Sequence, residues 1–242
     1  MSAAASARDH RPLAGRVVLV TGAYGGYGHA VALACARAGA TPVLLGRNAR
    51  KLERVADAIG EAGVEASLYP LDLEGAGPDD FAELATRIGE RFARLDGLVH
   101  CAAGFHGLTP LEHTDPAVFA RALHVDLTAR WWLTQACLPL LRASDAGSLV
   151  FVIDPAPAAA PAYWGGYGIA QQGQEALVAM LEAETASTPL RVHALRPGPM
   201  RTPLRARAYA ADGDRVARDP AAFAQACIEL LSPAAGPVGI TQ

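Results

Sequence analysis

The glycines of one short segment are the clearest chemical feature of this 242-residue chain. Residues 21–28 read TGAYGGYG, directly after the apolar run VVLV and before an alanine-rich stretch. In such a turn one glycine permits a tight bend, a second lets the backbone approach a pyrophosphate, and a third lets helix pack on strand. The N–H groups that begin the helix then favour the negative charge of a phosphate. The predicted dinucleotide contacts in this turn are Thr21, Gly22, Tyr24, Gly26, Tyr27 and Gly28.

The end of the second apolar run distinguishes the two nicotinamide dinucleotides. An acidic residue about 20 positions beyond the glycines binds the ribose hydroxyl of NAD, whereas an arginine accommodates the 2′-phosphate of NADP. Here residues 45–48 read LGRN, and no acid occurs before Glu53. Arg47 is therefore the predicted phosphate ligand and NADP(H) the preferred cofactor, with NAD(H) as the alternative. The competing interpretation makes Arg47 a solvent-exposed residue in the first turn of the next helix.

These residues need a fold that brings the ends of several strands together. Apolar runs predict strands at 17–20, 42–45, 66–69, 97–101, 149–153 and 192–195. Amphipathic segments between them predict helices at 29–38, 49–59, 79–92, 117–141, 166–185 and 220–231. This alternation predicts an α/β fold, a doubly wound parallel Rossmann sheet of six to seven strands with helices on both faces. We expect one domain over residues 13–242, preceded by a flexible tail at 1–12.

The composition argues against several other classes of protein. A net charge of −3 gives no reason to expect nucleic acid or an acidic membrane as a partner. No apolar run approaches the roughly 18–20 residues that span a bilayer, and the first twelve residues lack the apolar core of a secretion signal. The four cysteines have no metal-ligand spacing, so no metal site is predicted. Unpaired cysteines suit a reducing, cytoplasmic location.

Several further segments match one enzyme family in order and position. Residues 95–104, LDGLVHCAAG, stand where that family has a strand ending in N-N-A-G, and residues 196–202, RPGPMRT, where it has P-G-x-x-x-T. With the turn T-G-x-x-x-G-x-G, residues 14–231 resemble the short-chain dehydrogenase/reductase family, most of all its YciK-like bacterial oxidoreductases. The resemblance implies a Rossmann sheet, oxidoreductase chemistry and usually a dimer or tetramer. It also implies cofactor contacts at Asp72 (to the adenine), Leu73, Ala102, Pro197, Gly198 and Thr202.

The catalytic positions depart from the pattern of that family. Its catalytic set is Asn, Ser, Tyr and Lys, with the last two spaced Y-x-x-x-K on one face of a helix. Here Tyr167 stands in the tyrosine position, while Asp126, Asp154 and Gln171 replace Asn, Ser and Lys. A shifted alignment does not restore the set, because the single lysine and the single asparagine of the chain both lie within residues 48–51.

These replacements change the proton chemistry that the resemblance implies. In the family, the tyrosine gives a proton to the carbonyl oxygen and the lysine charge lowers the tyrosine pKa. Gln171 can donate a hydrogen bond to a ribose hydroxyl but carries no charge. An ionised Asp154 would raise the pKa of Tyr167, whereas a protonated Asp154 would donate a hydrogen bond to the substrate. We therefore expect alcohol oxidation to be impaired, since it needs tyrosinate, and carbonyl reduction to remain compatible with the site.

Two functions follow from this sequence. The first is an NADP(H)-dependent reductase of a small carbonyl substrate, with Tyr167 as proton donor and Asp154 as its assistant. The second is a catalytically inactive NADP(H)-binding sensor or partner protein. Substrate-dependent consumption of NADPH distinguishes them. A Rossmann methyltransferase would need an acid after the second strand and a different glycine spacing, and the sequence has neither.

The C-terminal third bears on substrate and assembly. Residues 191–218 contain seven arginines and two acids, which suits either an anionic substrate or a solvated helix surface. An aromatic or bulky apolar substrate would also fit, because four side chains flank the expected pocket: Phe105, His106, Tyr163 and Trp164.

Eleven residues, two of them prolines, follow Leu231, so a seventh strand is short or missing. Family tetramers use that region, whereas dimers use the long helix predicted at 117–141, so we expect a homodimer.

Overall fold

The computed structural model describes residues 11–209 and 216–233. Its strands are β1 (Val17–Thr21), β2 (Thr41–Gly46), β3 (Ser67–Pro70), β4 (Gly97–His100), β5 (Ser148–Val152) and β6 (Arg191–Leu195). They form one parallel sheet in the order β3-β2-β1-β4-β5-β6. The order reverses between β1 and β4, where the carboxyl ends of strands leave a crevice for a ligand. The predicted doubly wound α/β sheet is confirmed, with six strands in the described part of the chain.

Helices cover both faces of the sheet. They are α1 (Gly26–Arg37), α2 (Ala49–Gly60), α3 (Pro78–Phe92), α4 (Pro116–Leu123), α5 (Ala129–Ala143), α6 (Ala156–Ala159), α7 (Gly165–Thr185), α8 (Pro203–Ala208) and α9 (Ala221–Leu231). One apolar cluster joins α3, α5 and α7 to one face, and a second joins α1, α2 and α9 to the other. Along β1, Val17 and Leu19 belong to the first cluster, and Val18 and Val20 to the second. Burial on both faces explains why the strand is apolar throughout.

The single helix predicted at 117–141 is wrong, and the correction bears on the site. The segment forms α4 and α5, joined by a wider π turn over His124–Thr128. No proline or glycine interrupts the sequence between them, so the pattern gives no warning of the break. The turn carries Asp126, whose carboxylate accepts a hydrogen bond from the Gly104 N–H at 2.9 Å. Such single π turns occur frequently at functional sites.

Other differences are local. The helix predicted from residue 29 begins at Gly26, so the glycine turn itself supplies its first turn. The short helices α6 and α8 are not predicted, although Thr202 caps α8 and Pro203 follows it, a recognised helix start. Most of the predicted tail and any strand after residue 233 lie outside the described residues. None of the described helices is long and apolar enough to cross a membrane.

Candidate active site

A cleft of about 780 Å³ opens along the carboxyl ends of the strands. Its volume falls in the range of small-molecule sites. The glycine turn between β1 and α1 forms part of its wall, through Gly22, Tyr24, Gly26, Tyr27 and Gly28. No side chain among the described residues caps the N-terminus of α1. The N–H groups of this first helical turn therefore suit a phosphate of a ligand in the cleft.

Close contacts crowd a Cβ at three glycine positions of this turn. Gly22 has φ of +62°, and a Cβ there would lie 2.8 Å from the Cα of Ala102. A Cβ on Gly26 would lie 2.5 Å from the methyl carbon of Thr202, and one on Gly28 would collide with the carbonyl oxygen of Gly22. The missing side chains leave the close backbone approach that a pyrophosphate requires.

Thr21 supports the cleft without lining it. Its side chain is completely buried, and its Oγ1 accepts hydrogen bonds from the backbone N–H groups of Cys101 and Ala102, both at 3.0 Å. The hydroxyl thereby ties the end of β1 to the segment that follows β4. Thr21 is thus the one predicted cofactor contact that does not reach the cleft surface.

Two cations lie at the end of the cleft next to β2. Arg47 lines this end and is exposed, and it precedes Asn48, whose Oδ1 caps α2 by accepting the Lys51 N–H at 3.0 Å. Arg47 is therefore outside the first turn of α2. Lys51 also lines the cleft, with its Nζ 5.4 Å from the centre of the Tyr24 ring. The sequence interpretation missed Lys51, which lies in the first turn of α2.

The remaining predicted cofactor contacts line the same cleft. They are Asp72 and Leu73 after β3, Ala102 after β4, and Pro197, Gly198 and Thr202 after β6. Together with the glycine turn and the cation pair they form a continuous wall along the strand ends. This combination of a glycine cradle, a free helix N-terminus and two cations fits a dinucleotide that carries an additional phosphate.

Three of the four predicted catalytic residues meet at the other end of the cleft. The Tyr167 hydroxyl, on α7, donates a hydrogen bond to Asp154 Oδ2 at 3.2 Å. One turn further along α7, Gln171 Oε1 accepts the backbone N–H of Asp154 at 2.9 Å. Asp154 Oδ1 accepts the Ala156 N–H at 2.9 Å, which holds the carboxylate after β5. All three predicted residues line the cleft.

Asp126, the fourth predicted residue, lies behind the cleft wall in the π turn. Its carboxylate is completely buried, and its Oδ2 has no hydrogen-bond partner among the described residues. Burial raises the pKa of Asp126 to about 7, while the Arg130 charge and the Gly104 N–H act in the opposite direction. The carboxyl group therefore changes its charge close to neutral pH.

The sequence interpretation missed Arg130, which lies one turn after Asp126 on α5. Its guanidinium is 1% exposed, and Nη2 stands 3.9 Å from Asp126 Oδ1. Nη1 donates to the Val152 carbonyl at 3.3 Å and to Gln174 Oε1, and Nη2 donates to the Ala102 carbonyl. The i, i+4 pairing of an acid and an arginine on a helix face was the available sequence signal.

The electrostatics of this end keep Tyr167 protonated. Burial raises the pKa of Tyr167 well above its usual value, and the negative charges of Asp154 and Asp126 raise it further. Arg130 is the group that lowers it. The hydroxyl therefore retains its proton at neutral pH.

Aromatic rings and two arginines surround the space next to Tyr167. Phe105 packs against Tyr167 and Trp164, with ring centres 5.0 Å and 5.2 Å apart. Arg205 and Arg207 line the cleft, and Arg207 donates to the Phe105 carbonyl.

Two other arginines of residues 191–218 and one of the predicted pocket aromatics lie outside the cleft lining. Arg196 pairs with Glu175, and Arg201 donates to the Ala217 carbonyl at 2.9 Å. The placement of Tyr163 beside the pocket is wrong, because its side chain is outside the cleft and more than half exposed. His106 does line the cleft.

Known proteins match this chain over most of its length. Residues 16–213 match the family model of the short chain dehydrogenases. Over 207 residues the chain is 38% identical to the uncharacterized oxidoreductase YciK of Escherichia coli K12, covering 85% of this chain and 82% of YciK. A short chain dehydrogenase structure from Shigella flexneri 2a strain 301, complexed with NADP, is 36% identical with a TM-score of 0.88. One from Escherichia coli CFT073, complexed with NADPH, is 37% identical with a TM-score of 0.88; each covers 92% of this chain and 93% of its own.

Proposed function

The chain belongs to the short-chain dehydrogenase/reductase family, and on that premise we propose that it is an NADP(H)-dependent oxidoreductase that reduces the carbonyl group of a small molecule. The observation that carries this proposal is the buried Tyr167 hydroxyl, which lines the same cleft as the glycine turn and keeps its proton at neutral pH. A hydroxyl that keeps its proton can protonate the oxygen of a carbonyl group as that group is reduced.

NADP(H) is the cofactor that the cleft suits best. Arg47 and Lys51 supply positive charge for the 2′-phosphate, and the glycine turn supplies the cradle for the pyrophosphate. The structures solved with NADP and NADPH, at 36% and 37% identity, support the same preference. When bound, NADPH would supply the hydride that reduces the carbonyl carbon.

The protein side of the reduction is a proton transfer from Tyr167. The O–H bond of the tyrosine breaks as the substrate oxygen takes the proton, and the phenolate oxygen is left beside Asp154 and within the field of Arg130. Asp154 Oδ2 now accepts the Tyr167 hydrogen bond at 3.2 Å, so the hydroxyl must turn from the carboxylate to the substrate oxygen. A protonated Asp154 would release the hydroxyl and could itself donate to that oxygen.

Gln171 holds this arrangement in place. Because its carbonyl oxygen is bound to the Asp154 N–H at 2.9 Å, its amide N–H groups remain as donors for a hydroxyl in the cleft. It fixes the position of Asp154 but contributes no charge. Alcohol oxidation, which needs Tyr167 as a base, is correspondingly disfavoured in this site.

A second candidate function is an NADP(H)-binding sensor or partner protein without turnover. The same Tyr167–Asp154 hydrogen bond favours it, because an ionised Asp154 would keep the tyrosine proton away from a substrate. The cofactor cleft is equally suited to both functions, so cofactor binding alone does not separate them.

We also propose that the protein is a homodimer through α5 and α7. Trp131 on α5, and Ile169 and Met180 on α7, are large apolar side chains that the single chain leaves exposed. Burial of these residues between two copies would remove apolar surface from water. Light scattering should give the mass of a dimer; a tetramer would contradict this assembly.

The test of the reductase proposal is NADPH consumption with a panel of small carbonyl compounds, aromatic and bulky apolar ones included. We expect a substrate-dependent loss of NADPH absorbance that is faster at acidic than at alkaline pH. Asp154→Ser, which removes the carboxylate but keeps a hydrogen-bonding group, should raise the rate of that loss, because the Tyr167 hydroxyl is then no longer bound to a carboxylate. Tight NADPH binding with no consumption by any member of the panel, in both proteins, would favour the sensor instead.

A further inference from the structure

We propose that Arg130 is a positioning residue that supplies the buried positive charge of the reaction site, balancing Asp126 and the tyrosinate that forms when Tyr167 gives up its proton. This inference rests on the reductase function proposed above and assigns to α5 a charge that Gln171 on α7 does not provide.

The contacts of Arg130 join four of the elements that meet at this end of the cleft. Its guanidinium binds the Ala102 carbonyl after β4, the Val152 carbonyl at the end of β5 and Gln174 on α7. It lies 3.9 Å from Asp126 in the π turn and also lines the cleft. A cation held by four separate elements has a fixed position relative to the reacting oxygen.

Burial of this guanidinium costs free energy, so its presence in the interior needs an explanation. Three of its four partners are neutral oxygens, and the one carboxylate is at 3.9 Å, beyond ordinary hydrogen-bond distance. Arg130 Nε and Asp126 Oδ2 are both buried without a hydrogen-bond partner among the described residues. A pair that served packing alone would satisfy these atoms, so the incomplete pairing beside a cleft indicates a role in the site.

No other described group around Arg130 can take over its charge. The titratable groups facing it are His100 and Cys101 at the end of β4, Asp126 in the π turn, and Tyr167 on α7. Burial lowers the pKa of His100 well below its usual value and raises that of Cys101 to about 12, so both are neutral at pH 7.

The negative groups are arranged around this cation. Asp154 stands next to Tyr167, and its negative charge raises the tyrosine pKa. Among the charges that act on Tyr167, Arg130 is the one that lowers its pKa. Loss of the guanidinium would therefore leave the developing tyrosinate facing two carboxylates without a counter-charge.

The experiment measures the titration of Asp126 by carbon NMR of protein labelled at the aspartate carboxyl carbons, with the resonance identified by Asp126→Asn. In the native protein we expect a midpoint of about 7, the pKa of Asp126 that results from burial and from the charge of Arg130. Arg130→Met should raise that midpoint by at least about one pH unit, a tenfold shift in ionisation. Arg130→Lys, which keeps the charge, should move it by much less. Arg196→Met, which removes a cation that follows β6 and pairs with Glu175 on α7, serves as the matched control.

Kinetic and binding measurements complete the test. Arg130→Met should lower kcat about tenfold or more and shift the pH profile, Arg130→Lys should restore part of both, and NADPH affinity should stay within about threefold. If Arg130→Met lowers the Tm but leaves the Asp126 midpoint and the pH profile unchanged, the arginine is structural and the proposal is overturned. If Arg130→Met does not fold, the titration of Asp126 in the native protein is the test. An Asp126 that stays protonated at alkaline pH would have no effective counter-charge, and this result would overturn the proposal. The NMR arm needs no substrate, so failure of the reductase proposal is seen separately in the carbonyl panel.

Discussion

The residue types at the two ends of the cleft are subject to different physical constraints. At the glycine turn, close backbone contacts at Gly22 and Gly28 exclude any side chain, and the residue types follow the family pattern. At the proposed reaction end, the sequence interpretation matches Tyr167 to the catalytic tyrosine of the family and places Asp126, Asp154 and Gln171 where that family has other residues. A buried arginine from another helix lies within the altered set. Steric contacts therefore restrict the residue types at the glycine turn, whereas our proposal has the charge at the reaction end supplied by Arg130 from a neighbouring element.

The largest expected effect separates chemistry from binding. Tyr167→Phe removes the proposed proton donor and should lower the rate of carbonyl reduction about 10²- to 10⁴-fold. NADPH affinity should change by less than about threefold, because the glycine turn is untouched. Parallel turnover and fluorescence titrations of one preparation check this, with the exposed Tyr163→Phe as control. Equal turnover in Tyr167→Phe and the native protein would remove the tyrosine from the mechanism.

A substitution in the glycine turn tests NADPH binding instead of turnover. Gly28→Val places a side chain against the carbonyl oxygen of Gly22 and should weaken NADPH binding about a hundredfold, or about 3 kcal/mol. Gly60→Ala is the matched control, because a Cβ there meets nothing within 4 Å. Calorimetric titration measures both. An unchanged affinity in Gly28→Val would mean that the turn does not contact the dinucleotide.

A smaller effect tests the choice between dinucleotides. Arg47→Ala should weaken NADPH binding about tenfold, since it removes a charged hydrogen-bond donor near the 2′-phosphate. NADH affinity should not change, because NADH lacks that phosphate. Arg50→Ala, on the exposed face of α2, controls for net charge. Equal losses for NADPH and NADH would assign Arg47 a structural role.

The last effect concerns the pH dependence of stability, rather than binding or turnover, at the reaction end. Because burial raises the pKa of Asp126 from 3.8 to about 7, the folded protein binds a proton that the unfolded chain has released across this window. The free energy of unfolding therefore contains a part that falls as pH rises from about 4 to about 7, by up to about 1.4 kcal/mol per pH unit.

Asp126→Asn should remove this part, and urea unfolding at a series of pH values measures it. The exposed Asp57→Asn should retain the native slope. An Asp126→Asn protein whose stability has the native pH dependence would show that Asp126 does not take up the proton.

The sequence predicted the binding end better than the reaction end for a physical reason. Continuous apolar runs place all six strands within one residue at each end, because parallel strands buried on both faces admit few polar residues. The glycine turn was predicted equally well, because each of its glycines avoids a local steric clash. The break at His124–Thr128 and the contacts of Arg130 depend on partners 22 to 44 residues away in sequence, such as Gly104, Val152 and Gln174. No local pattern encodes those partners.

A calorimetric titration of the native protein with NADPH, and separately with NADH, tests the central claim most directly. The account predicts saturable binding of one dinucleotide per chain, with NADPH at least about tenfold tighter than NADH because of Arg47 and Lys51. Absence of binding by either dinucleotide would contradict it, since the glycine turn would then be a structural feature of the fold without its ligand.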